Sequence, residues 1–308
     1  MTDREPRRAG PFLRRDPGGP RPPFRVIATT IGLPLLAFVA FVLYQWIHPA
    51  VDSAPDPARD EPVVARAEIA STAPAPRAAV PAKEEPGSRG DIVLILDDVG
   101  YDPAALREAA ALGTNLNFAI IPGTPHAESS ARLLAERGFE ILCHLPMEPE
   151  GYPGVSPGEG AILTSMDSEE IRARTRALLE SVPHARGINN HMGSAATADP
   201  RVMRGVLAAA RDAGVFFVDS RTTSKSISEP IARELGVRFA ARDVFLDDDA
   251  SDAAVRTQIE RLAEAAESGD VAVAIGHLYP STLRVLREEL PRLEAAGYRF
   301  LRASEAVR

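Results

Sequence analysis

Residues 91–98 read DIVLILDD. The five apolar residues 92–96 form an unbroken run bounded by charge. A strand buried on both faces has this signature, because helices cover both sides of a parallel sheet. The run stops on two adjacent carboxylates, Asp97 and Asp98.

Strand and helix patterns alternate outward from this segment. The sequence predicts a helix over 103–112, a strand over 116–121, a helix over 125–137 and a strand over 139–143. A helix follows over 168–182, with Ser168 as its N-cap and acids in its first turn. A strand over 187–190 leads to a helix over 200–213 that stops at Gly214. Strands over 215–218, 237–241, 271–275 and 298–301 alternate with helices over 228–235, 251–268 and 281–296. About eight strands alternating with helices imply a parallel sheet, either closed as a barrel or open and doubly wound. In both arrangements a site forms at the C-terminal strand ends.

Composition narrows the function. The 308 residues suit one barrel-sized domain with accessory segments. With 35 Lys+Arg against 43 Asp+Glu, the net charge of −8 offers no basic face, so no nucleic-acid partner is expected. No Walker-type phosphate loop occurs, so no nucleotide is expected. The single cysteine, Cys143, excludes an internal disulfide and any zinc site built on two or more cysteines. It reads as a buried strand residue.

The N-terminal region carries a different message. Residues 26–47 read VIATTIGLPLLAFVAFVLYQWI, 22 residues without a charge and long enough to cross a hydrocarbon core. Seven arginines and three acids precede it, and Asp52, Asp56, Asp60 and Glu61 follow. The positive-inside rule then makes 1–25 a basic cytoplasmic tail and 26–47 a transmembrane helix. A cleaved signal peptide is the competing reading. Residues 48–89 are rich in Ala and Pro and read as a linker. The expected location is the inner membrane, single-pass, with the domain at 90–308 outside the cytoplasm.

The strand ends carry the polar chemistry. They supply Asp97 and Asp98, then His144, then Asn189, Asn190 and His191, then Asp219 and Arg221, and lastly His277. Three of the six histidines thus fall at one predicted rim. Any one of them alone is commonly structural. Together, carboxylates and imidazoles suit a divalent metal ion, zinc foremost. Asn189 and Asn190 read equally as sugar-binding amides or turn residues. Residues 247–249, three aspartates, read as a helix cap or as carboxylates reaching the rim. The loop over 145–167 starts at His144 and reads as a wall of a substrate groove, with Tyr152 either stacking on a sugar or facing solvent.

The motifs LDDVGYD, HLPMEP, NNHMGS, FVDSRT and IGHLYPSTL, in this order over residues 90–305, resemble the divergent branch of the NodB-like polysaccharide deacetylases. The resemblance implies a distorted (β/α) barrel of seven to eight strands and a zinc-like site. It makes Asp97 the catalytic base, Asp98 a metal-binding carboxylate, His144 a metal histidine and His277 the general acid. Glu148 stands where the related motif has a second metal histidine. Either Glu148 or His191 would complete the site, His191 being favoured because it ends a strand. Asp219 and Arg221 are candidates for orienting these groups. The implied function is metal-dependent removal of N- or O-acetyl groups from an envelope glycan such as peptidoglycan. The alternative is an inactive deacetylase-like barrel that binds glycan or a protein partner. A phosphatase reading of Asp97-Asp98 fits poorly, since it leaves the histidines idle.

Overall fold

The protein is described by a computed structural model covering residues 88–113 and 115–308. The expected tail, membrane span and most of the linker lie outside the described residues. Among the described residues no helix is long and apolar enough to cross a membrane.

The run at 92–96 is the centre of strand β1 (Gly90–Val99). The other strands are β2 (Asn117–Ile120), β3 (Glu140–Met147), β4 (Gly187–Met192), β5 (Phe216–Asp219), β6 (Phe239–Ala241), β7 (Val244–Phe245), β8 (Ala272–His277) and β9 (Tyr298–Phe300). All pair in parallel, in the order β6-β5-β4-β3-β2-β1-β8-β7, with β9 beside the start of β1. Among the described residues eight α-helices accompany them, besides a short 3-10 turn at Ala196–Ala198: α1 (Pro103–Ala109), α2 (Ala127–Glu136), α3 (Ser168–Glu180), α4 (Pro200–Ala213), α5 (Ser228–Leu235), α6 (Asp252–Ala266), α7 (Pro280–Ala295) and α8 (Ala303–Ala306).

The described strands number nine, not the expected eight. The additional one, β7, is two residues long and shows no periodicity that a sequence reading can detect. The cap of α3 also differs from expectation. Asp167, not Ser168, accepts from the first-turn amides, and Glu170 returns to the Asp167 amide as a capping box.

Side chains alternate across each strand, and the two faces bury different cores. Ile92, Leu94 and Leu96 of β1 point to the helix layer, with Ile141, Cys143, Leu145, Ile188 and Phe217 of its neighbours. Val93 and Ile95 point inward with Leu142, Phe216, Val218, Val273 and Ile275. The inner face is crowded. A Cβ on Gly187 would lie 2.2 Å from the Phe216 ring, so only glycine fits beside that phenylalanine.

The sheet curls into an incompletely closed barrel. Its edge strands β6 and β7 form no ladder among the described residues. Only Arg242 and Asp243 separate them. Three Cα steps span at most about 11 Å, so the two edges stay close. Arg242 bridges this seam. Its backbone amide donates to Asp219 O (2.9 Å), and its guanidinium donates to Ser220 O (2.7 Å) and Arg221 O (3.0 Å). The same guanidinium lies 4.8 Å over the Phe245 ring.

The C-terminal segment closes the opposite end. Ala303 and Val307 join the inner core, and Phe239 and Arg308 exchange backbone hydrogen bonds. Buried Asn117 ties this floor to the sheet. Its amide donates to Leu94 O (3.1 Å) and Leu301 O (3.2 Å), and its oxygen accepts from the Ala303 amide (2.8 Å). Asn117→Ala leaves these groups orphaned in the core. It is expected to destabilise the protein by about 1–3 kcal/mol in denaturant unfolding; a loss below about 0.5 kcal/mol would show that the floor does not depend on this amide.

Candidate metal centre

The inward stripe of each strand continues into a polar residue at the same rim. After Val93 and Ile95 comes Asp97; after Leu142 comes His144; after Val273 and Ile275 comes His277. On β4 the inward positions are Gly187, Asn189 and His191. Pairing register sets them side by side, with Asp97 opposite His277 and His144 opposite Asn189.

Asp98 breaks this rule. By alternation it would face the helices, away from Asp97. The β1–β2 register shifts between Leu96 and Val99, where three steps on β1 oppose two on β2. Asp98 is the extra residue, with φ at 58°. An aspartate tolerates this left-handed conformation better than a branched residue does. The bulge re-aims its carboxylate into the rim beside Asp97. Met192 (φ 53°) and Arg221 (φ 48°) are further non-glycine residues in that region, each close to an inward strand end. Such strain concentrates at functional sites.

Three ligand-type atoms converge. His191 Nδ1 lies 2.9 Å from Asp98 Oδ1, His144 Nε2 lies 3.3 Å from the same oxygen, and the two ring nitrogens are 3.2 Å apart. Ligands at tetrahedral positions about 2.0–2.2 Å from zinc sit about 3.3–3.6 Å from one another, close to this spacing. Asp98 Oδ1 is buried and makes no hydrogen bond of good geometry. An orphaned buried oxygen flanked by two imidazoles fits a bound cation, and so does the donor set of one carboxylate and two imidazoles.

Two further groups flank this triad. Asp97 is almost fully buried; its Oδ2 lies 3.4 Å from His144 Nε2, and its Oδ1 accepts from Asn189 Nδ2 at 2.8 Å. His277 Nε2 is 3.7 Å from Asp98 Oδ2. Its Nδ1 is 2.9 Å from Asp247 Oδ1, while Asp247 Oδ2 accepts from the His277 amide (2.7 Å) and the Thr282 hydroxyl (2.8 Å). The His277 ring packs between Phe245 and Tyr279. Gly276 permits this approach, because a Cβ there would lie 3.3 Å from Asp247 Oδ2.

Burial and charge compete at each group. Burial raises the Asp97 carboxyl above its ordinary value, against the opposing pull of His144 and His277. Burial also acts to raise Asp98, but the adjacent imidazoles of His144 and His191 hold it well below the usual carboxylate range. Burial disfavours charge on His144, yet Asp97 and Asp98 raise it. His277 follows the same pattern: burial opposes its charge, but Asp247, with Asp97 and Asp98, pushes it up to about 9. The pocket therefore stabilises positive charge at its centre.

Other expected site residues are committed elsewhere. The Glu148 carboxylate accepts from the Thr164 amide (2.6 Å) and hydroxyl (3.0 Å), so it fastens the 148–164 loop and does not join the triad. Asn190 donates to Met192 O (2.7 Å) and accepts from the Ser220 amide (2.9 Å). Asn189 is buried between Asp97 and His144. Neither amide is free for a sugar. Asp219 accepts from the Arg221 amide (2.7 Å) and the Ser226 hydroxyl (2.5 Å), holding the loop after β5. Arg221 donates to Arg242 O at 3.1 Å, toward the seam. Tyr152 is exposed on its loop. Asp247 reaches the rim, whereas Ser251 caps α6.

The sequence profile of divergent polysaccharide deacetylases matches residues 94–307. An uncharacterized protein of Haemophilus influenzae is 36% identical over 206 residues, covering 67% of this chain and 73% of that protein. The uncharacterized protein YibQ of Escherichia coli is 34% identical over 211 residues, covering 68% of this chain and 66% of YibQ. A crystal structure of an uncharacterized Agrobacterium tumefaciens protein shares the fold, with a TM-score of 0.68 at 19% identity over 73% of this chain and 92% of that one. The ordered strand-end motifs, the parallel curled sheet and these matches agree: the chain belongs to the divergent polysaccharide deacetylase family.

Proposed function

We propose that this protein is a metal-dependent hydrolase of the carbohydrate deacetylase type, removing N- or O-acetyl groups from a glycan of the cell envelope. The observation that carries this reading is the convergence of Asp98 Oδ1, His144 Nε2 and His191 Nδ1, with Asp97 and His277 beside them. Those three residues would hold the ion. A divalent cation there supplies Lewis acidity toward an acyl carbonyl and toward water.

The chain's own groups divide the proton traffic. Asp97 takes a proton from the attacking water through Oδ2, because Oδ1 is held by Asn189. Its burial raises its basicity above that of a surface carboxylate. His277 donates from Nε2 to the leaving amine or alcohol, because Nδ1 is engaged by Asp247. Asp247 keeps that imidazole charged and oriented. Residues 26–47 as an anchor and 48–89 as a tether would put this rim on the envelope side of the inner membrane. Protease added to spheroplasts should then digest the domain; full protection would reverse that orientation.

A second reading, a barrel that binds glycan or a protein partner without turnover, draws on one observation. Glu148 replaces the second histidine of the related motif and is used by the loop.

Acetate release from acetylated chitooligosaccharides, peptidoglycan fragments and acetylated xylan separates the two readings. The full chain with zinc is expected to release acetate, and a chelator to abolish release. Asp97→Asn is expected to slow it about 10²–10⁴-fold with metal still bound. Glycan binding without acetate release under every metal tested would favour the second reading.

The pH profile follows from His277. A general acid must be protonated, so the rate is expected to fall as pH rises through about 9. Asp247→Asn removes the charge that raises the imidazole, and should move that limb down by about one pH unit or more. An alkaline limb unmoved by Asp247→Asn would exclude His277 as the acid.

A further inference from the structure

Asn189 was a poor candidate for chemistry in the sequence, where it reads as a turn residue or a sugar ligand. Its position assigns it another task. It is fully buried on β4, and one side-chain amide touches two members of the centre. Nδ2 lies 2.8 Å from Asp97 Oδ1, and Oδ1 lies 2.9 Å from His144 Nδ1.

We propose that Asn189 is the positioning residue of this centre: it selects the His144 tautomer that can bind metal and fixes which Asp97 oxygen faces the reaction. The proposal rests on reading Asp98, His144 and His191 as the metal ligands.

Donor and acceptor supply fixes the orientation of the Asn189 amide. The ionised Asp97 carboxylate only accepts hydrogen bonds. The amide NH₂ must therefore face Asp97, which turns the amide oxygen toward His144. A carbonyl oxygen also only accepts, so a His144 ring that gives up one proton to bind metal keeps the other on Nδ1. The lone pair is then on Nε2, the atom 3.3 Å from Asp98 Oδ1 and 3.2 Å from His191 Nδ1. With the amide reversed, a proton would occupy Nε2, where the metal has to bind. The same amide occupies Asp97 Oδ1 and leaves Oδ2 for water. Ser220 Oγ, 3.5 Å from Nδ2, is the other polar group near that nitrogen.

Substitutions at position 189 separate the two contacts. Asn189→Ala removes both and releases the ring to either tautomer. Asn189→Asp keeps an acceptor for the His144 N–H but cannot donate to Asp97. Outer-shell partners of this kind typically alter metal affinity about 10–100-fold.

The test uses the purified full chain, measuring zinc affinity by chelator competition and the His144 tautomer by imidazole nitrogen NMR. The His144 signal is assigned by its loss in His144→Gln. In the expected zinc-loaded wild type the ring proton is on Nδ1 and Nε2 carries none. Asn189→Ala should weaken zinc binding about 10–100-fold, and Asn189→Asp should retain it within a few-fold while losing acetate release. A purely structural role predicts equal loss of zinc affinity in both variants, and that result would overturn the proposal. A wild-type proton on Nε2 would overturn it as well, and does so even if Asn189→Ala fails to fold. A wild-type chain that takes up no zinc removes the metal centre and this proposal together. Zinc binding with the expected tautomer but no turnover on any glycan would sustain the proposal and count only against the hydrolase reading.

Discussion

The structure depends on one constraint: in a strand, alternate side chains share a face. Five strands of this barrel use the inner face first for apolar packing. Three of them, β1, β3 and β8, then use it at the rim for chemistry, so Val93, Ile95 and Asp97 are successive points on one line, and β4 adds Asn189 and His191 beside them. The apolar part of each stripe holds the polar part rigidly, because close-packed interiors leave little room for displacement. The rule is broken once, at Asp98, where a bulge against β2 turns a carboxylate that alternation would send to the helices. Without that extra residue the rim would lack the carboxylate oxygen that His144 and His191 share.

Bringing two carboxylates and three histidines together in a buried place is costly unless their charges are matched. The match is distributed. Asp97 is satisfied by Asn189, His277 by Asp247, and Asp247 in turn by a backbone amide and Thr282. Asp98 Oδ1 remains as the buried oxygen lacking a well-formed hydrogen bond. That oxygen is where the electrostatics of the site call for a cation. Outer-shell order of this kind commonly decides how firmly a metal is held.

Much of this was legible in the sequence, for physical reasons. The run at 92–96 announces a parallel core strand, and histidines at the ends of such strands share a rim by topology. What was not legible depends on pairing between distant segments. The sequence shows Asp97-Asp98 but not the bulge, which exists only relative to β2. Asn189 and Asn190 look alike in sequence, yet they send their amides to different partners: one to Asp97 and His144, the other to Met192 and Ser220. Glu148 occupies a motif position, but β3 ends at Met147 and the chain there turns to bridge Ile162, which brings the carboxylate to Thr164. Asp247 was read as a cap or a rim residue because the strand that aims it, β7, is two residues long.

The most direct test of the metal centre is zinc-edge X-ray absorption on the full chain loaded with one equivalent of zinc, beside His191→Ala. Nitrogen and oxygen ligands at about 2.0–2.2 Å are expected, with two imidazoles in the wild type and one in the variant. Zinc that fails to bind, or an imidazole count unchanged by His191→Ala, would contradict that ligand set.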